Sequence, residues 1–250
     1  MGPFARYPSL VGRGVFITGG ASGIGAALVG AFYDQGAKVG FIDRDETAGR
    51  AVAEQRPGVW FERVDVRDAD ALAAAVRSAD AAIGPLRILI NNVADDTRHA
   101  ALATDAAAWR ERLAVNLDPT FLAATAAQPG MAAAGGGSII NLASVNALLA
   151  PADMAAYVAA KSAILGLTKA LAREWGAANI RVNAISPGWV VTERQLALWL
   201  TPQAEADWAK QTALPGRILP DDVARLALFL AADDSATITG QNLVIDAGRT

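Results

Sequence analysis

The chain has no cysteine and one histidine, His99, among its 250 residues. Without cysteine there are no disulfides, no thiol catalysis and no thiolate metal site. A lone histidine cannot build a multi-histidine metal centre. Neither sign of charge dominates. The 22 basic and 25 acidic residues leave a net charge of −3, with no basic stripe of the kind that grips nucleic acid. No uninterrupted apolar run reaches the roughly 18 residues of a membrane span, and the opening Met1-Gly-Pro-Phe-Ala-Arg6 lacks the apolar core of a signal peptide. The expectation is a cytoplasmic protein with no metal, no membrane association and no nucleic-acid partner. Repeats, low-complexity linkers and composition breaks are also missing, so one domain over residues 1–250 is expected.

What is present is apolar residue in quantity, 53 % of the chain, much of it alanine. That is enough for a large core with closely packed helices. Short β-rich runs alternate with alanine-rich helical stretches, the pattern of an α/β fold around a parallel sheet. Strands are expected at 15–18, 38–43, 59–63, 88–91, 138–142, 181–186 and 243–246. Helices are expected at 24–35, with Gly36 as its cap, and at 69–83, 113–134, 155–175 and 221–230. Pro129-Gly130 should kink or end the helix that contains it. Residues 193–214 interrupt the alternation and carry Trp199 and Trp208, which suggests a substrate lid spanning about 190–215.

Three features carry chemistry. Thr18-Gly-Gly-Ala-Ser-Gly-Ile-Gly25 joins a buried strand to a helix. Glycines there let backbone approach a pyrophosphate, and the helix end offers free N–H groups and a positive dipole. Asp43, at the end of the second strand, can accept from adenosine ribose hydroxyls and would repel a 2′-phosphate, which favours NAD over NADP despite the neighbouring Arg44. Tyr157 and Lys161 lie four apart on one helix face. An isolated pair of this kind is ordinarily a surface feature. An ammonium about 4 Å from a phenol, at an effective dielectric of ~20, contributes roughly 4 kcal/mol. That would lower the phenol by roughly three pKa units.

Thr-Gly-x-x-x-Gly-x-Gly, Asn91-Asn92, Asn116, Ser144, Tyr157-x-x-x-Lys161 and Pro187-Gly188 occur in the order and spacing of the short-chain dehydrogenases/reductases, which this chain resembles along its whole length. The resemblance implies a single Rossmann-type, doubly wound sandwich with a seven-stranded parallel sheet, an NAD(P) site and a homotetramer. Carried over by position, it makes Tyr157 the general acid/base and Lys161 its activator and a holder of the nicotinamide ribose. Ser144 would bind the substrate oxygen and Asn116 would keep a relay water in place. Gly19, Ser22, Gly23 and Ile24 would cradle the pyrophosphate, Asp65 and Val66 would flank the adenine, and Asn92 would stand beside its ribose. Pro187, Val190 and Thr192 would hold the nicotinamide amide. The chain departs from the family at Val93-Ala94, where Ala-Gly is usual.

Substrate is a narrower question. Tyr7-Pro-Ser-Leu10, Asp96-Thr-Arg98-His99, the run from Pro187 to Gln195, Gly216-Arg-Ile218 and Ile245-Asp-Ala-Gly248 resemble the NAD-dependent aldose 1-dehydrogenases of this family. These act on D-xylose, L-arabinose or D-galactose. Asp95, Asn146, Trp189, Gln195 and Trp199 mix hydrogen-bonding groups with aromatic faces, which suits a sugar better than an acyl chain. The other readings are a ketone or 3-oxoacyl reductase, a polyol or secondary-alcohol dehydrogenase, and a non-catalytic dinucleotide sensor. The intact Tyr157–Lys161 pair argues against the last.

Overall fold

The computed structural model describes residues 5–250; the first four residues of the chain's opening, where part of the signal-peptide reading falls, lie outside the described residues. The first half runs β1 (Gly14–Thr18), α1 (Gly23–Asp34), β2 (Lys38–Asp43), α2 (Glu46–Glu54), β3 (Trp60–Arg63), α3 (Ala69–Ile83) and β4 (Leu86–Asn91). Next come α4 (Ala106–Asn116), α5 (Asp118–Ala133), β5 (Gly137–Leu142), α6 (Asn146–Leu149) and α7 (Ala155–Trp175). The chain closes with β6 (Ile180–Pro187), α8 (Glu193–Leu198), α9 (Pro202–Ala209), α10 (Pro220–Ala231) and β7 (Asn242–Ile245).

All seven strands pair in parallel in the order β3-β2-β1-β4-β5-β6-β7. Crossover helices therefore cover both faces. Every residue of β1 is buried for that reason. Val15 and Ile17 face the layer of α1 and α10, against Leu28, Phe32 and Leu228. Phe16 faces the opposite layer, against Leu72, Val76 and Ala123 of α3 and α5. The order reverses between β1 and β4, and such a switch point opens a crevice beyond the carboxyl ends of the strands.

A buried amide ladder ties that crevice to the helices. Asn91 at the end of β4 donates to Asn141 of β5 (2.9 Å), which donates to the Thr168 hydroxyl of α7 (3.0 Å). Length and hydropathy alone would let Ala155–Ala178 cross a membrane. Here, however, Ala156, Tyr157, Ala160, Lys161 and Ile164 of this stretch are buried within the domain.

Two expectations about helices need correction. The helix expected over 113–134 is two helices, broken at Leu117 (φ −128°, ψ −56°). Pro119, within the first two positions of α5, explains the break: its ring would clash with a preceding helical turn, whereas a first turn tolerates it. Pro129-Gly130, by contrast, does not stop α5, which runs on to Ala133 with Ala127 and Met131 buried on either side. Between β2 and β3 the alternation is completed by α2, which Asp45 caps by accepting from Ala48 N–H (3.0 Å).

Replacing Asn141, which is fully buried, with alanine would leave the Asn91 amide and the Thr168 hydroxyl without their partner. Asn141→Ala is expected to lower unfolding stability by about 2 kcal/mol or more. A fall in the urea midpoint at unchanged m-value checks this.

Candidate active site

A cavity of about 840 Å³ lies beyond the carboxyl ends of the strands, under α8 and α9. The β1–α1 turn gives it Gly19, Ser22, Gly23, Ile24 and Gly25; strand ends give it Asp43, Asn92 and Ser144. Asp65 and Val66 line it after β3, Tyr157 and Lys161 from α7, and Asn146 from α6. Asp95 follows β4, while Pro187, Trp189, Val190, Thr192 and Gln195 come from the end of β6 and the segment after it. All the residues expected from the sequence to form the site meet here except Asn116 and Trp199.

The glycine turn is built for close approach. Gly19 and Gly23 adopt φ of +72° and +52°, the left-handed region that favours glycine. A Cβ on Gly25 would sit 1.8 Å from the Gly19 carbonyl oxygen, so only glycine closes the turn. Side chains of Asp45, Asp68, Asp105, Thr192 and Thr201 cap α2, α3, α4, α8 and α9. At α1 the N-cap Ser22 makes no such bond. The first-turn N–H groups of α1 therefore face the cavity without a side-chain cap, a donor set that fits a dinucleotide pyrophosphate.

Asn92 steadies this turn by donating its amide to the Thr18 and Gly19 carbonyls (3.1 and 2.9 Å). The Asp43 carboxylate accepts from Ala21 N–H and Asp45 N–H, each at 3.0 Å. It thus braces the glycine turn as well as lining the cavity. Asp65 is paired with Arg67, whose hydrogen bonds hold its carboxyl down at about 2, so it stays ionised.

Tyr157 and Lys161 are both buried, at 8 % and 2 % exposure. Lys161 Nζ donates to the Leu142 carbonyl (2.7 Å) and lies 5.7 Å from the Tyr157 ring centre. Burial disfavours the charged form of each. It brings Lys161 down to about 8. It pushes Tyr157 up to about 12, with a hydrogen bond from Ser144 pulling the other way and the Asp96 charge adding to the rise. The expectation that Lys161 alone brings the phenol toward neutrality is therefore corrected. Burial sets the direction of the shift at the phenol. Asn146 N–H donates to Ser144 Oγ (3.1 Å), which fixes that hydroxyl beside the phenol.

Asn116, expected in the catalytic group, is 2 % exposed and turned into the loop after β4. Its Oδ1 accepts from Asp95 N–H (2.9 Å), and its Nδ2 donates to the Asp95 and Arg112 carbonyls (3.1 and 3.0 Å). Trp199 also stands outside the lining, with the Arg98 guanidinium over its ring at 5.1 Å. Trp189 donates to Gln195 Oε1 (2.7 Å), and Gln195 donates to Asp96 (2.7 Å), so α8 is fastened to the loop after β4. The salt bridges from Arg194 to Asp95 and Asp96 join the same fastening.

Sequence reasoning missed Asp96, Trp208 and Arg249 as lining residues. Trp208 packs edge-on to Trp189 at 5.9 Å, with the Arg249 guanidinium 4.6 Å from the centre of the Trp208 ring. Arg249 lies almost at the chain's end, and nothing in its neighbours signals a return to the cavity.

A family model described as enoyl-(acyl carrier protein) reductase matches residues 19–250. A protein named as a probable galactose dehydrogenase, from Rhizobium meliloti, is 44 % identical over 98 % of this chain and 98 % of its own length. The D-xylose 1-dehydrogenase of Caulobacter vibrioides is 42 % identical, again over 98 % of both chains. A solved short-chain type dehydrogenase/reductase from Mycobacterium ulcerans superposes with a TM-score of 0.92 at 28 % identity, covering 96 % of this chain and 90 % of that one. Similarity of this extent, over a switch-point cavity with an uncapped glycine turn, makes the chain a member of the short-chain dehydrogenases/reductases, oxidoreductases that work with a nicotinamide dinucleotide.

Proposed function

We propose that the chain oxidises the anomeric hydroxyl of an aldose, of the D-xylose, L-arabinose or D-galactose type, to a lactone with NAD. The observation that carries this is one continuous cavity lined by the glycine turn, by Ser144, Tyr157 and Lys161, and by Trp189 and Asn146. The names of the relatives at 44 % and 42 % identity support a sugar substrate. Gly19, Ser22, Gly23 and Ile24 would hold the pyrophosphate, Asp43 the adenosine ribose, and Asp65, Val66 and Asn92 the adenosine surroundings. Lys161, Pro187, Val190 and Thr192 would hold the nicotinamide end. When bound, the dinucleotide supplies the acceptor for the hydride that leaves the anomeric carbon.

The chain's own residues deal with the proton. Loss of the hydride makes the anomeric O–H acidic, and Tyr157 in its phenolate form takes that proton through Oη. Ser144 donates to the same substrate oxygen as charge develops there. Lys161, held by the Leu142 carbonyl, keeps a donor group under the phenol. Asp95, Asn146, Trp189 and Gln195 would receive the sugar's remaining hydroxyls and its C–H face. The segment 190–215 would close over them as a lid, with Gln195 and Asp96 as its fastening. We read the working form as a cytoplasmic homotetramer; Trp109 and Phe121 stand exposed on α4 and α5 as surface for such contacts. Sedimentation at a single chain's 25.8 kDa would refute the tetramer.

A panel of aldoses, polyols, hydroxy acids and ketones, followed at the reduced-nicotinamide absorbance, tests the substrate. Aldoses are expected to reduce NAD. A chain that reduces ketones with NADPH and leaves every sugar untouched is not an aldose dehydrogenase. Tyr157→Phe is expected to remove turnover while leaving NAD binding intact. Because Tyr157 must lose its proton and burial pushes it up to about 12, kcat/KM for oxidation should rise with pH up to about 8, where Lys161 begins to lose its own proton. A flat profile there argues against a phenolate as proton acceptor. With Asp43 set against a 2′-phosphate, kcat/KM for NAD should exceed that for NADP by at least about tenfold, a difference of about 1.4 kcal/mol. A preference for NADP removes the role given to Asp43.

A further inference from the structure

The helix that carries Tyr157 and Lys161 does not cap itself. Its N-cap residue, Met154, makes no side-chain cap bond. The Ala156 N–H in its first turn donates instead to Nε2 of His99 (3.0 Å), which lies 57 residues earlier in the chain. His99 is itself held on three sides. Its N–H donates to the Asp153 carbonyl (2.7 Å), it bridges Met154, and its Nδ1 lies 3.1 Å from the Thr97 carbonyl. These partners leave one tautomer: Nε2 must accept, so Nδ1 carries the hydrogen and donates to Thr97. Thr97 in turn follows Asp95, whose backbone is gripped at both polar atoms by Asn116.

We propose that His99 is a positioning residue, which sets the place of the Tyr157 phenol by capping α7 from the loop after β4. The proposal rests on the reading of Tyr157 as the proton acceptor. Ala156 directly precedes Tyr157 and is fully buried while His99 stands over it, so in the intact chain the imidazole and not water completes this turn. Any shift of this first turn carries the phenol with it. Asn116 then acts at the other end of the same chain of contacts, by fixing the loop from which His99 reaches. The chain's single histidine does its work by accepting a hydrogen bond, without transferring a proton.

The test compares His99→Ala, His99→Asn and His99→Gln in sugar oxidation, with NAD binding followed by quenching of tryptophan fluorescence. Glutamine places an amide oxygen near where Nε2 stood, whereas the shorter asparagine does not reach. Alanine and asparagine should lower kcat about tenfold or more, since a displacement of about 1 Å at a reacting group can cost up to 10²-fold. The NAD dissociation constant should stay within about twofold, and glutamine should restore most of kcat. The glutamine–asparagine contrast stands even where the alanine variant does not fold. Equal kcat in all three variants and the wild type overturns the proposal, as does a glutamine variant no better than asparagine. Tyr157→Phe, run alongside, separates the two ideas: full turnover in that variant sinks the role of Tyr157 itself and not the cap.

Discussion

Everything at the site depends on β1 pairing in parallel with two later strands that lie on its opposite sides in the sheet, β2 and β4. Their helices must leave the sheet in opposite directions, and the gap that results is where the carboxyl ends of β1 to β6 face one space. The glycine turn, Asp43, Asn92 and Ser144 all sit at such ends. The chemistry of the chain therefore follows from a choice of strand neighbours.

A conflict between burial and charge runs through the catalytic pair. A phenol and an ammonium shielded from water are each pushed toward neutrality, and neither partner alone reverses that for the other. The Leu142 carbonyl and the Ser144 hydroxyl supply hydrogen bonds where water would otherwise do so. Burial thus favours the neutral phenol, and the Ser144 hydrogen bond works against it.

Much of this was legible in sequence because it is local. The bounds of β2, α3 and α7 follow from β-rich runs and alanine-rich stretches, all close in the chain. The glycine turn, Ser144 and Tyr157 were legible because their spacing is fixed by strand–turn–helix units. What escaped depends on tertiary contact. Pro119 lies inside the run expected as one helix over 113–134, and its place in the first turn of α5 shows only in the structure. The grip of Asn116 on Asp95, the reach of His99 to Ala156 and the return of Arg249 to the cavity link residues that share no local pattern. Desolvation of Tyr157 was illegible for the same reason: depth is a property of the packed molecule.

The uncapped start of α1 has a consequence for the molecule's endurance. Five helices complete their first turn with the side chain of their N-cap residue, while Ser22 at the start of α1 does not, and the first turn of α1 lines the cavity. A ligand that binds only the folded chain adds its binding free energy to the fold, about 2.7 kcal/mol at a hundred times its dissociation constant. Resistance to unfolding is in this way coupled to the supply of dinucleotide, and a starved chain is also a weaker one.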